Sequence, residues 1–486
     1  MPKKAKFVLS EPLPHIILII MDTASAKRSS LYGHFRETTP NLERLAPEMM
    51  VYRNCFTPAA WTIPSHISLF TGLYPGEHGC NGHDSVLPEE FLVLPEILRG
   101  LGYRTVTISN NLLVSRAFQF QRGYDEFYQM EDLFNSRRFH EASDAFEAFK
   151  RGHKSDLDRL AFLWRYCHKN KYYSFPLHKS INKYYRNYLR RSKSSSHSTE
   201  RTLRLTHKIL AQHPPSQPLF LFINFMETHD PYNPPQKYNN IIKISKRRKQ
   251  ELLKLGVTDF FVGPNRGFTP EVIETKRLLY DQEMAYLDDR LADLYAFLER
   301  QGMLDNTLLV ITADHGECLG EHGLWGHAYG LYNELVHIPL MVKYPARYSR
   351  RGESTNIVQL HDLFATIGEI TDIPYPVPDS SQSLLGPPRE FALAERCCLH
   401  VDPDRYRQIT PDYEPLETMQ TCCAIIDQEL RKLILWADGR GELYDLKKDY
   451  AEENNLIHHP DYQNLAQDLK QKLLALTACP PGEERI

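Results

Sequence analysis

Residues 307–315 read TLLVITADH. The first seven positions, Thr307–Ala313, form a short apolar or β-branched run, too short for a buried helix and suited to a strand covered on both faces. The run ends in Asp314 and His315, an acid and an imidazole at the carboxyl end of a strand, the edge where open α/β sheets gather their ligands. Outward along the chain the same construction recurs. HIILIIM at 15–21 ends in Asp22, and LFLFINFMET at 219–228 ends in His229. Tyr103–Ser109 and Ile338–Lys343 add two more strand candidates. The clearest helix runs from Pro270 to Gln301, with Thr269 as N-cap, Pro270 in the first turn and Gly302 as terminator. Leu278, Met284, Leu287, Leu291, Leu294 and Leu298 give it an apolar stripe. Strands alternating with helices predict an α/β fold, a large mixed sheet sandwiched by helices.

After about residue 375 the texture changes. PYPVPDSSQSLLGPP at 374–388 reads as a linker. Strand-like pieces at Cys422–Ile426 and Lys432–Trp436, the turn ADGRG and a helix over Asp461–Leu476 follow. The expected division is a catalytic domain over 1–375 and a small C-terminal α+β domain over 376–486, an antiparallel sheet plus a helix. Residues 130–217 are the most individual part and read as a basic, helical insertion or lid. From Arg165 to Lys208 Glu200 is the single acid among a dozen Lys and Arg. Ile181, Tyr184, Tyr185, Tyr188 and Leu189 share one helical face there. A packing helix with a solvated basic face is favoured over a lid for anionic substrates or a nucleic-acid or membrane contact.

Composition excludes several classes. The 486 residues are 42% hydrophobic and 11% aromatic, too apolar for a mostly disordered chain. A net charge of −3 supplies no global field for nucleic acid, so no nucleic-acid partner is expected. No apolar run approaches the ~20 residues of a membrane helix, so no membrane span is expected. The first residues, MPKKAKFVLSEPLP, lack the apolar core and small-residue cleavage site of a signal peptide. The nine cysteines are odd in number and show no Cys-x-x-Cys spacing, which reads as buried thiols in a reducing compartment. A cytoplasmic location is therefore expected, and a homo-oligomer is left open.

Another segment is Trp61-Thr62-Ile63-Pro64-Ser65-His66, followed by ISLFTGLYPGEHG. Pro64 suits the first turn of a helix, and Thr62 is placed just before it, where the helix dipole stabilises an anion. TTPNLERLA, this segment, GYRTVTISNN, RGYDEFY, PLFLFINFMETHDPYNPP, YDQEMAYLDDRLADL, NTLLVITADHGECLGEHGLWGH and KLILWADGRGELYDLKKDYAEENNL follow in that order. Together they resemble the sulfatase branch of the alkaline phosphatase superfamily. The resemblance implies that branch's mixed sheet with a small C-terminal sheet-and-helix domain.

Three departures from the family pattern direct the functional reading. Sulfatases place Cys or Ser first in C/S-x-P-x-R and oxidise it to formylglycine; here Thr62 and His66 occupy the first and last positions. The extra methyl of threonine blocks that aldehyde, whereas a threonine alkoxide can attack phosphorus. Asp22 is followed by Thr23 rather than by a second aspartate, and His327 stands where lysine is common. By the resemblance, the metal ligands are Asp22, Asp314, His315 and the Thr62 oxygen. An imidazole in that set favours one Mn2+ or Zn2+ over Ca2+ or Mg2+. His229 and His327 would contact a phosphoryl oxygen or protonate the leaving oxygen, and His66 and Asn111 would bind substrate. The expected activity is metal-dependent hydrolysis of an anionic small-molecule ester, a phosphodiester or phosphonate monoester, through a phosphothreonine intermediate. The alternatives are a sulfatase, a phosphoryl or phosphoglycerol transferase, and a two-metal phosphatase of the same superfamily.

Overall fold

The computed structural model describes residues 12–478 except 83–84, 131–141, 144, 147–148, 150–154, 182–195, 239–243, 257–259, 261–267 and 398–419. Its centre is an eight-stranded sheet of β1 (His15–Met21), β2 (Met50–Phe56), β3 (Arg104–Ser109), β4 (Glu126–Gln129), β5 (Leu219–Phe225), β6 (Thr307–Thr312), β9 (His337–Lys343) and β10 (Gly352–Gln359). Strand order is β10-β2-β9-β6-β1-β5-β3-β4. β1 pairs in parallel with both β5 and β6, and β3 in parallel with β5 and β4. β9 runs antiparallel to β6 and β2, which makes the sheet mixed. Every residue of β1, β5 and β6 is buried, as continuous apolar runs require when helices cover both faces. Because β1, β3, β5 and β6 are co-directional, Asp22, Asn111, His229 and Asp314 follow strands ending at one edge.

Seven described strands escape the sequence reading: β2, β4, β7 (Cys318–Leu319) and β8 (Trp325–Gly326), which pair as a separate two-stranded ribbon, β10, β11 (Phe391–Arg396) and β14 (Gly441–Asp445). β2 carries Arg53 and Asn54 in mid-strand, and β10 reads GESTNIVQ. β10 lies at the sheet margin, where one face meets water and polar residues are tolerated. A register shift between Ser354 and Ile357 further blurs its alternation.

The helix Pro270–Arg300 starts on Thr269, whose hydroxyl accepts the Val272 N–H at 3.3 Å, and Gly302 closes it at φ +66°. All six stripe residues are buried. Each is worth roughly 1.5–3 kcal/mol when moved out of water. The helix also buries acids outside the stripe. Asp281 accepts from Arg36, and Asp288 takes the backbone N–H groups of Asn41 and Leu42 at 2.8 and 2.9 Å. These bonds tie residues 36–42 to the helix.

Beyond the linker, β11, β12 (Cys422–Asp427), β13 (Arg431–Trp436) and β14 form a four-stranded antiparallel sheet. Strand alternation divides its side chains. Cys422, Ala424, Ile426, Ile434 and Trp436 pack on Leu331, Leu335 and Val336 of the larger unit. Cys423, Ile425, Leu433 and Leu435 pack on Leu469 and Leu473 of the helix Gln463–Leu476. The adjacent cysteines thus face opposite ways because they share a strand. That helix begins two residues later than expected, since Pro460–Tyr462 forms a 3-10 turn.

Within 130–217 the described helical residues are 142–143, 145–146, 149, Asp156–Lys169, 175–181 and Ser196–Ala211. The tyrosine face expected over 184–189 lies outside the described residues. Among the described residues, no helix is long and apolar enough to cross a membrane. Cys55, Cys80, Cys167 and Cys318 are buried thiols.

Candidate active site

Thr62 is the first residue of the helix Thr62–Thr71, one step further in than expected, with Trp61 extended before it as the N-cap. Pro64 still falls in the first turn, where no intrahelical donor is lost. Thr62 is 1% exposed, and its Oγ1 is 3.4 Å from His315 Nε2. Three residues on, Ser65 Oγ donates to the Asp314 carbonyl at 2.7 Å, pinning the helix start to the end of β6.

The first carboxylates are held by one oxygen each. Asp22 Oδ2 accepts from Asn111 Nδ2 at 2.6 Å and Asn224 Nδ2 at 3.1 Å. Asp314 Oδ1 accepts the backbone N–H groups of Thr23 and His315 at 3.1 and 2.9 Å. Asp22 Oδ1 and Asp314 Oδ2 are buried and accept no hydrogen bond from the protein. The Nδ1–H of His315 donates to the Gly316 carbonyl at 2.9 Å, leaving Nε2 with its lone pair. Asp22, Asp314 and His315 each bring a ligand atom within 4.8 Å of the others. Two orphaned carboxylate oxygens and one unprotonated imidazole nitrogen, all in the dry interior, are a donor set that fits a divalent cation. The electrostatics agree. Burial and the neighbouring Asp22 push Asp314 well up, while burial and His327 pull His315 well down. A cation between them would relieve the first and needs the second.

Thr23 occupies the left-handed region at φ +60°, an outlier for a β-branched residue. Its amide N–H is thereby turned onto Asp314, its hydroxyl donates to the Thr228 carbonyl, and Tyr280 Oη holds its carbonyl at 2.8 Å. Gly316 is required by a close approach: a Cβ there would stand 1.9 Å from the Glu334 carbonyl oxygen.

Three further histidines surround this centre. His66 Nδ1 bonds the Thr62 carbonyl at 2.9 Å and lies 3.6 Å from Asp314 Oδ2, among the rings of Phe70, Phe120 and Phe222. Burial lowers its pKa despite Asp22 nearby, so the ring is neutral. His229 donates Nδ1–H to the Asp230 carbonyl at 2.7 Å. His327 donates Nδ1–H to Glu317 Oε1 at 2.8 Å. The rings of His229 and His315 lie 5.0 and 4.7 Å from that of His327. Burial opposes charge on His327, but the Glu317 carboxylate outweighs it and raises the pKa. The Ala328 N–H bonds the Ala60 carbonyl at 3.0 Å, which fixes the His327 loop against the Thr62 loop.

The structure therefore brings Asp22, Thr62, His66, Asn111, His229, Asp314, His315 and His327 to one place. Asn111 and His66 lie against the carboxylates, with Asn111 holding Asp22 directly. Sequence reasoning missed Asn224, Glu317 and Tyr232. Asn224 had a readable signal, a lone amide inside the apolar run LFLFINF, and Glu317 had another, an acid two residues after His315.

The sulfatase family model matches residues 14–373, and a second model, the C-terminal region of N-sulphoglucosamine sulphohydrolase, matches 320–478. An arylsulfatase of Clostridium perfringens is 22% identical over 485 residues, covering 95% of this chain and 94% of that protein. The multifunctional alkaline phosphatase superfamily protein PehA of Trinickia caryophylli is 26% identical over 468 residues, covering 90% and 89%. The crystal structure of a phosphonate monoester hydrolase of Agrobacterium radiobacter superposes with a TM-score of 0.68 at 20% identity, covering 95% of each chain. The chain belongs to the sulfatase family of the alkaline phosphatase superfamily, whose members are hydrolases acting on ester bonds.

Proposed function

We propose that the protein hydrolyses a phosphodiester or phosphonate monoester with Thr62 as nucleophile. The observation that carries this reading is a threonine hydroxyl, not a formylglycine precursor, 3.4 Å from His315 Nε2 at the Asp22–Asp314–His315 cluster. A divalent ion held by Asp22, Asp314 and His315, Mn2+ or Zn2+ by their chemistry, would lower the pKa of a bound hydroxyl and offset charge on the phosphoryl oxygens.

The chain's own residues do the rest. The buried helix start gives Thr62 Oγ1 one orientation and excludes water around it. Thr62, its hydroxyl proton lost to solvent before the substrate closes the site, attacks in line as an alkoxide, its oxygen bonding phosphorus as the ester oxygen leaves. His327, kept protonated by Glu317, gives a proton to that oxygen, and His229 lies beside it to bind a non-bridging oxygen. Water then attacks phosphorus, giving a proton to the now neutral His327, and displaces the Thr62 oxygen. Asn111 and Asn224 act through Asp22, whose carboxylate they orient. Neutral His66 and titratable His327 stand where relatives of the C/S-x-P-x-R pattern carry arginine and lysine. The site thus offers less fixed positive charge and suits a monoanionic ester better than a phosphate monoester dianion.

A second reading, sulfate-ester hydrolysis, is favoured by the matching family model and the arylsulfatase relative. One aryl leaving group carried on a phosphodiester, a phosphonate monoester, a phosphate monoester and a sulfate separates them. The expected kcat/KM is highest for the diester or phosphonate and lowest for the sulfate, with the phosphorus group, still carrying its second substituent, recovered on the Thr62 peptide after rapid quenching. Preference for the sulfate would establish the second reading, and preference for the monoester a phosphatase.

A further inference from the structure

The segment after residue 155 supplies none of the site residues, yet among the described residues it carries the densest group of exposed large apolar side chains. Leu160, Trp164, Tyr173, Leu177 and Ile181 are 63%, 68%, 66%, 61% and 37% exposed. They lie on two short helical stretches and the turn between them. Leu160, Trp164 and His168 follow at single-turn spacing along the helix Asp156–Lys169. Trp164 touches His168 edge-on at 5.4 Å, and His168 lies 6.1 Å from the Tyr173 ring and 3.4 Å from its hydroxyl. Leu177 and Ile181 stand exposed one turn apart on the next helical stretch, residues 175–181. The opposite side is occupied. Cys167, Tyr172 and Phe175 pack with Ala142, Leu163 and Tyr166 into a small core separate from the main one. The exposed face is therefore surplus to the packing of this segment.

Its charge is as uneven as its hydropathy. Residues 159–199 hold ten Lys and Arg and no Asp or Glu, in a chain whose net charge is −3, so the remainder is acidic. Arg165 and Lys169 stand exposed beside the apolar face. Exposed leucine and isoleucine offer nothing to a nucleic acid, which selects aromatic rings for stacking. Aliphatic residues flanked by Trp, Tyr and basic side chains match the headgroup–acyl boundary of an anionic bilayer. We propose that this face is an interfacial docking surface for an anionic lipid membrane, with the apolar side chains entering the boundary and Arg165 and Lys169 pairing with headgroups.

The tryptophans make the test direct. Trp61, Trp325 and Trp436 are buried, and Trp164 is the exposed one of the four. Vesicles of phosphatidylcholine alone and of equal parts phosphatidylcholine and phosphatidylserine are mixed with the full-length protein. Co-sedimentation with the anionic vesicles, a blue shift of the emission and loss of acrylamide quenching are expected, all weakened by salt. Trp164→Ser should remove the spectral shift. Leu177→Glu, and Arg165→Glu with Lys169→Glu, should each lower partition by about tenfold or more, while turnover of a soluble aryl ester is unchanged. Absence of binding to either vesicle overturns the proposal, as does binding without a change at Trp164. Equal binding to single-stranded RNA that displaces the vesicles would make the face a nucleic-acid site. Self-association by light scattering, abolished by Leu177→Glu without any vesicle binding, would make it an interface between copies.

Discussion

Glu317 accepts the Nδ1–H of His327 on one carboxylate oxygen at 2.8 Å and the hydroxyl of Tyr232 on the other at 3.0 Å. The carboxylate is fully enclosed, and burial alone would push its pKa up, but His327 and Tyr232 bring it below the usual carboxylate range. It stays an anion and imposes two conditions on His327. The donated Nδ1–H fixes the ring, leaving Nε2 for the substrate, and the negative charge favours the imidazolium.

Glu317→Gln should therefore lower kcat by roughly 100-fold, the scale of a misplaced general acid, with little change in KM. The pH profile carries the specific signature. His327 has a raised pKa, so its acid form is present below that value and lost as pH rises through it. The variant should lose activity at lower pH than the wild type. A uniform fall in rate with an unmoved basic limb would leave Glu317 a packing residue only.

Thr62→Ala should remove turnover and preserve the fold. The hydroxyl caps nothing, so the cost in stability is at most about 1 kcal/mol, whereas loss of a covalent route costs several orders of magnitude in rate. Thr62→Ser keeps an attacking oxygen and should retain phosphodiester turnover. Near-normal turnover by Thr62→Ala on the best substrate would exclude the phosphothreonine route.

Much of this was legible because three strand ends carry both signals at once. The apolar runs before Asp22, His229 and Asp314 mark three parallel strands of the mixed sheet, and the polar residues after them mark its functional edge. What stayed hidden depends on long-range pairing. Asn111 is a candidate from its strand end, but its bond to Asp22 spans 89 residues. The strained φ of Thr23 leaves no mark on composition, nor does the approach of Gly316 to Glu334. The polar edge strand β10 was illegible for the reason edges are polar, that water covers one side.

A chelator should abolish activity, and Mn2+ or Zn2+ should restore it better than Ca2+. Asp314→Asn should weaken metal binding most, since it replaces an anionic ligand by a neutral one. Asn111→Ala should weaken it by about 10- to 100-fold through loss of the bond that orients Asp22. Titration of the chelated protein with Mn2+, followed by calorimetry, measures both. Recovery with Ca2+ alone would contradict the donor set, which includes His315.

Glu227 supplies a prediction about stability rather than rate. It is 1% exposed, no side chain among the described residues donates to its carboxylate, and burial, outweighing the backbone amides of Glu227 and Met226, pushes its pKa up to about 8. The folded state thus holds a proton that the unfolded chain releases near pH 4.5. Between those values the unfolded state is the more ionised, so this group costs stability as pH rises from about 4.5 to about 8. The full loss is on the order of 3–5 kcal/mol, at 1.36 kcal/mol per pH unit. Glu227→Gln cannot ionise and should lose less stability over that range, whatever constant cost its amide adds. Urea unfolding at pH 5.5 and pH 8 reads the difference. Equal losses in the two proteins would mean that Glu227 has a donor or a cation beside it in solution that keeps its carboxylate charged.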